Sequence, residues 1–296
     1  MTALAGLLTA MVTPFQPDGR VDEDAVVAVG RHLLAHGSDG LVVCGTTGEA
    51  ATMTDEEHLG VIRLVAEELG DEAIVIAGTG SNDTRHAVHL TEAAVAMPGV
   101  DAVLSVTPYY NKPNRRGIRR HFEEVARAAG GTPVVLYNIP GRTATNMPPD
   151  LLAELAQIDG VEGLKQSNED ELQPIDGLAL FAGNDDLLAR VLDLDGAGGI
   201  CVSSHVIGPQ MKRLFDEPER RAELDASLQD VYAAMFCTAS PAPVKAALEL
   251  VGVRAGTLRL PLVECDEAEL AIVRSALEAH GLLADARPAG SGQAVA

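Results

Sequence analysis

The sequence predicts an α/β fold, a (β/α)8 barrel with a C-terminal helical extension, and three observations predict it. Strand-like runs that are nearly continuous in apolar residues recur eight times over the first ~220 residues, with helical patterns between them. Continuous rather than alternating apolar runs mark strands buried on both faces, as in a parallel sheet. The length, 296 residues, suits one such barrel plus an appendage. Hydrophobic residues make up 47% but aromatics only 3%, without a single Trp, so Val, Leu, Ile and Ala must fill the core.

In chain order the expected strands are Leu7–Thr13, Gly40–Cys44, Ala73–Ala77, Ala102–Val106, Pro133–Asn138, Val161–Lys165, Leu178–Ala182 and Gly199–Ser203. The helices between them have readable ends. Asp22 can cap one, with Val26, Val29, Leu33 and Leu34 on its inner face. Thr54 with Glu57 forms a capping box; Leu59, Ile62, Ala66 and Leu69 share a face before Gly70 stops the helix. Pro148-Pro149-Asp150 opens another. After about Glu219 the strand signal fades, and Arg221–Phe236, Pro241–Leu250 and Asp266–Ala279 read as helices. The expected division is a barrel over 1–222, a helical extension over 223–284 and a frayed tail over 285–296. An open doubly wound sheet is the structural alternative, weakened in its dinucleotide-binding form because no G-x-G-x-x-G turn follows the first strand.

The net charge of −21 opposes nucleic acid or an anionic membrane as partner, since both need a basic surface. It also makes any anion site a local affair. The four cysteines are scattered without a CxxC pair, which favours reduced thiols over a disulfide framework or a zinc site. The N-terminus lacks the pattern of a secretory signal, and no apolar run approaches the ~18 residues of a membrane span, so a cytoplasmic protein is expected.

Barrel chemistry gathers at the carboxyl ends of the strands. The second strand runs into Gly45-Thr46-Thr47-Gly48-Glu49, the fourth into Thr107-Pro108-Tyr109-Tyr110-Asn111 and the fifth into Tyr137-Asn138-Ile139-Pro140-Gly141-Arg142-Thr143. The seventh runs into Gly183-Asn184-Asp185-Asp186, and the sixth ends in Lys165. Alternation puts Val161, Gly163 and Lys165 on one strand face. An ammonium there is costly unless it snorkels to water or sheds its proton and attacks a carbonyl carbon. Schiff-base chemistry also needs a proton shuttle: Tyr137 ends the neighbouring strand, and Thr47 and Tyr110 can extend a hydroxyl relay. Arg142 offers a bidentate fork for a substrate carboxylate. Plainer readings stand beside these: Gly45 and Gly48 as a tight turn, Tyr109 as a packing ring, Asp185 and Asp186 as caps of the next helix, and Cys44 as a small core residue.

At these loops the chain closely resembles the dihydrodipicolinate synthase / N-acetylneuraminate lyase family of pyruvate-dependent class I aldolases. The matching blocks are Thr9–Phe15, Gly45–Glu49, Val106–Tyr110, Leu136–Thr143 and Gly163–Lys165, in order around the barrel. The resemblance implies an imine between pyruvate and Lys165, with no other cofactor and no metal. It implies a relay of Tyr137, Thr47 and Tyr110, the last donated across a dimer interface. It further implies that Thr46 and Thr47 hold the pyruvate carboxylate, Arg142 that of the second substrate, and that Gly183 and Ile200 line the substrate site. A homotetramer built as a dimer of dimers is implied as well. Gly45-Thr46-Thr47 and Pro140-Gly141-Arg142-Thr143 look like the synthase branch, which condenses pyruvate with aspartate-4-semialdehyde to 4-hydroxy-tetrahydrodipicolinate for lysine and diaminopimelate synthesis.

The chain departs from the family pattern at Gln166-Ser167, where an acidic residue and Ala are usual, and at the residues flanking Ile200. His86 stands where lysine-sensitive members carry a Glu, and Asp55 where a His is frequent; weak lysine feedback is the expectation. The nearest rival reading is a sister aldolase acting on a 2-keto-3-deoxy sugar acid, for which Arg142 is less suited than for a small carboxylated aldehyde. A non-catalytic, metabolite-binding paralogue draws support only from Gln166-Ser167. A metal-dependent aldolase lacks clustered His and carboxylate ligands on the rim.

Overall fold

A computed structural model describes residues 4–283. The expected tail over 285–296 lies outside them. Eight strands, all paired in parallel, close into a barrel in sequence order: β1 Gly6–Ala10, β2 Gly40–Val43, β3 Ile74–Gly78, β4 Ala102–Val106, β5 Val134–Asn138, β6 Val161–Gln166, β7 Ala179–Ala182 and β8 Gly198–Cys201. Closure excludes the open doubly wound sheet. At the seam β1 and β8 approach so closely that a Cβ on Gly198, whose φ is +143°, would run into the Gly6 carbonyl.

The barrel helices are α1 Glu23–Ala35, α2 Asp55–Leu69, α3 Thr84–Val95, α4 Arg115–Ala129, α5 Pro140–Thr143, α6 Pro149–Leu155, α7 Leu188–Asp193 and α8 Ser204–Asp216. Asp22 caps α1 by accepting from the Ala25 amide, and the Thr54–Glu57 capping box opens α2. The extension is α9 Arg221–Ala226, α10 Gln229–Ala234, α11 Ala242–Leu250 and α12 Glu267–Ala279. One continuous apolar cluster runs from Leu7 in β1 to Leu277 in α12, so the extension shares the barrel's core.

Several expected boundaries shift for local reasons. The first strand stops at Ala10 rather than Thr13, because the Val12 amide turns to His205 Nε2 (3.2 Å) and Phe15 leaves to bridge Thr257. The single helix expected over Arg221–Phe236 is two. The Ser227 hydroxyl donates to the Leu224 carbonyl at 2.6 Å, the kind of side-chain bond that competes with the helix ladder. The division expected at residue 222 falls inside α9.

Candidate active site

Parallel register puts the two central side chains together. Tyr137 of β5 pairs with Lys165 of β6, so both face the barrel interior at the same height. The Lys165 ammonium lies 4.3 Å from the Tyr137 ring centroid. Both are buried, at 5% exposure each. They form the floor of a cavity of about 370 Å³ at the carboxyl ends of the strands. Thr46, Thr47 and Gly183 form its sides, and Arg142 stands on exposed α5 at its mouth.

Local geometry holds these groups. After β2 the chain turns sharply: the Gly48 amide donates to the Gly45 carbonyl and the Glu49 amide to that of Thr46, both at 3.1 Å. Cys44 and Glu49, which bracket this turn, both sit in left-handed backbone (φ 55° and 56°). Next to Arg142, the Thr143 hydroxyl lies within hydrogen-bond distance of the carbonyls of Ile139 (3.0 Å) and Thr145 (2.8 Å), its one proton available to either, which pins the end of α5.

Two expected site residues lie elsewhere in the single chain. Ile200 is fully buried in β8 and does not line the cavity. Tyr110, at φ 72° and 87% exposed, is not among the residues that line its own chain's cavity. Gln166 is also off the cavity, because alternation turns it to the opposite face of β6 from Lys165. Its Oε1 accepts from Asn138 Nδ2 (3.0 Å) and the Asn168 amide (2.9 Å), leaving its buried Nε2 without a partner. A carboxylate there would accept both bonds and leave no orphan donor.

Asp185 does not cap its own helix. Its carboxylate accepts from the amides of Val202 (2.8 Å) and Ser203 (2.6 Å), tying the end of β7 to the start of α8. Beside it the Asp186 carboxyl is held up by burial and by Asp185, and burial pushes that of Asp225 up to about 6. The Tyr232 hydroxyl is buried without a partner, and its ionisation is suppressed by burial first and by Asp185 and Asp225 next. Cys44 is a buried core residue whose thiol burial keeps protonated. Sequence reasoning missed the outer wall, Gln229, Tyr232, Phe236 and Ser240 from the extension. The one available signal was Tyr232, the fourth tyrosine of an aromatic-poor chain.

A second cavity of about 600 Å³ shares Thr46, Tyr137 and Arg142 with the first and adds Tyr109, His58, Ser81 and His86. His86 bridges Ser81 Oγ (3.2 Å) and Asp55 Oδ1 (2.8 Å), and that bond holds the Asp55 carboxyl below its usual range.

Fold and site together define a (β/α)8-barrel enzyme whose cavity is centred on a buried lysine. The chain belongs to the dihydrodipicolinate synthetase family, whose model matches residues 3–280. It is 41% identical over 288 residues to the 4-hydroxy-tetrahydrodipicolinate synthase of Synechococcus elongatus, covering 93% of this chain and 96% of that one. It is 38% identical over 295 residues to that of Cyanothece sp., covering 96% and 100%. A crystal structure of the Cyanidioschyzon merolae enzyme with lysine bound superposes with a TM-score of 0.89 at 37% identity, covering 95% of this chain and 99% of that one.

Proposed function

We propose that this cavity condenses pyruvate with L-aspartate-4-semialdehyde through an imine on Lys165. The reaction is that of a lyase of lysine and diaminopimelate biosynthesis, giving 4-hydroxy-tetrahydrodipicolinate. The observation that carries the assignment of roles is the buried Lys165–Tyr137 pair at the cavity floor, in register and 4.3 Å apart.

Neutral Lys165 Nζ attacks the pyruvate C2 carbonyl, and Tyr137 hands the oxygen a proton to form a carbinolamine. A second proton lets water leave, and the imine remains. Loss of a C3 proton gives an enamine, whose carbon attacks the aldehyde; the new alkoxide takes up the proton. The amino group of the semialdehyde then closes on C2 and frees Lys165. Thr46 and Thr47 lie on the cavity wall where the pyruvate carboxylate is held, and Arg142 at the mouth meets the second carboxylate. In a chain of net charge −21 these local donors must supply the attraction.

Incubation with pyruvate, reduction by borohydride and peptide mass spectrometry test this. The expected result is one adduct, on Lys165; an adduct elsewhere, or none, refutes it. Coupled assays with aspartate-4-semialdehyde and with sugar-acid aldehydes separate the main reading from the sister aldolase. Activity is expected to survive EDTA.

Homotetramer assembly belongs to the same proposal. Tyr110, 87% exposed in one chain, is a group that a partner copy can receive at its own cavity. The cytoplasm is the proposed compartment. The four cysteines are free, as in a reducing medium, and no described helix is long and apolar enough to cross a membrane.

A further inference from the structure

An ion pair that the reaction does not use lies directly behind the catalytic turn. Glu49 ends the Gly45–Glu49 turn, and its side chain is completely buried. Its Oε1 accepts from Lys245 Nζ of α11 at 2.6 Å, and its Oε2 from the Arg259 amide at 3.0 Å. Lys245, itself 3% exposed at the side chain, also donates to the Thr257 carbonyl (2.7 Å), and its ammonium lies 4.7 Å from the Phe15 ring centroid. The Arg259 guanidinium, 4.1 Å from the same centroid on Phe15, donates to the Gly19 and Thr52 carbonyls and forks onto Glu57.

Both partners are thus satisfied, at the desolvation cost that makes a buried pair a poor stabilising device compared with apolar packing. Its location is more informative. The turn carrying Thr46 and Thr47 is bracketed by non-glycine residues in left-handed backbone, a conformation that persists only when its surroundings impose it. Glu49 is one of the bracketing residues, and its carboxylate is the anchor.

We infer that Glu49 and Lys245 are positioning residues: the buried pair clamps the Thr46–Thr47 turn to the C-terminal extension and so sets the placement of the Thr47 hydroxyl at the Lys165 cavity. The inference rests on the functional reading above. α11 also follows Ser240, which lines the same cavity, so one element fixes both the turn and part of the outer wall.

The test uses the full chain with Glu49→Gln and Glu49→Asp, each made alone and in a Thr47→Val background. kcat and the pyruvate KM are measured at 25 °C after the fold is checked by circular dichroism. A turn displaced by about 1 Å is expected to lower kcat roughly 10- to 100-fold for Glu49→Gln, and less for Glu49→Asp, which keeps the charge. In the Thr47→Val background either change should cost no more than about twofold, because Glu49 acts through Thr47. Folded Glu49 variants with native kcat and KM overturn the inference, as do losses that multiply with that of Thr47→Val. A Glu49→Asp chain that fails to fold assigns the pair a purely structural role and also overturns it. A native chain that gives no Lys165 adduct counts against the functional reading alone; native adduct formation with unaffected Glu49 variants counts against this inference alone.

Discussion

Lowering the pH from 7 to 5 should destabilise the fold, and the buried histidines set the size of the effect. His205 is fully buried: its Nε2 accepts the Val12 amide, so its other nitrogen donates to the Val202 carbonyl at 2.7 Å. Burial pushes it from the ordinary 6.5 down to about 4. Burial pushes His121 of α4 down to about 4 as well; its Nδ1 meets Thr84 Oγ1 at 2.9 Å while its Nε2 has no partner. A histidine depressed in the folded state contributes stability that is present above about 6.5 and lost as pH falls toward 4. From pH 7 to 5 each such group costs about 2 kcal/mol, or about 4 for two. Asp225 works against this. Raised to about 6 when folded, it takes up its proton first in the folded state, and over the same interval it returns at most about 1 kcal/mol. Asp225 is half-buried, so solvent reduces that gain. The histidines win by about 2–3 kcal/mol, which for a chain of 296 residues lowers Tm by about 3–5 °C. Calorimetry from pH 7.5 to 5 measures it. His121→Leu, which removes a ring nitrogen that already lacks a partner, should recover most of that net loss. A Tm that is flat or rises on acidification would refute the reasoning.

Further outcomes concern the site. Tyr137→Phe keeps the ring under Lys165 and removes only the hydroxyl, so kcat should fall about 10²- to 10⁴-fold with the fold intact; a loss below about fivefold would remove Tyr137 from proton transfer. Gln166→Glu should leave kcat within about twofold, because the side chain faces away from the cavity; steady-state rates decide. Lysine at submillimolar concentration should leave turnover unchanged, since the carboxylate beside the second cavity, Asp55, is already engaged by His86; strong inhibition would contradict this.

The barrel was legible because buried parallel strands leave an apolar signature that no loop imitates, and because capping residues such as Asp22 and Thr54 act locally. Most of the rim was legible for the same reason: once the strands are placed, their carboxyl ends follow, and with them Thr46, Thr47, Tyr137, Lys165 and Arg142. What did not show in the sequence depends on contacts over long separations. Tyr232 and Ser240 reach the cavity from helices with no strand to index them. The Glu49–Lys245 pair joins residues 196 apart in sequence, and nothing local marks either as buried. Asp185 reads as the cap of the next helix, but its carboxylate instead holds the Val202 and Ser203 amides just ahead of α8, 17 and 18 residues away in sequence.

The seam between the first and last strands has a consequence for synthesis of the chain. β1 pairs with β8, with Gly6 opposite Gly198, and Phe15, bridged locally to Val21, meets its distant bridge partner at Thr257. At ribosomal rates of roughly 5–20 residues per second, β1 waits about 10–40 s for that neighbour to be made. Through that interval Leu7 and Leu8, fully buried in the finished barrel, belong to a strand with one edge unpaired. The barrel's first strand is among the last to be covered, so its open edge is where the nascent barrel most needs shielding from its neighbours on the polysome.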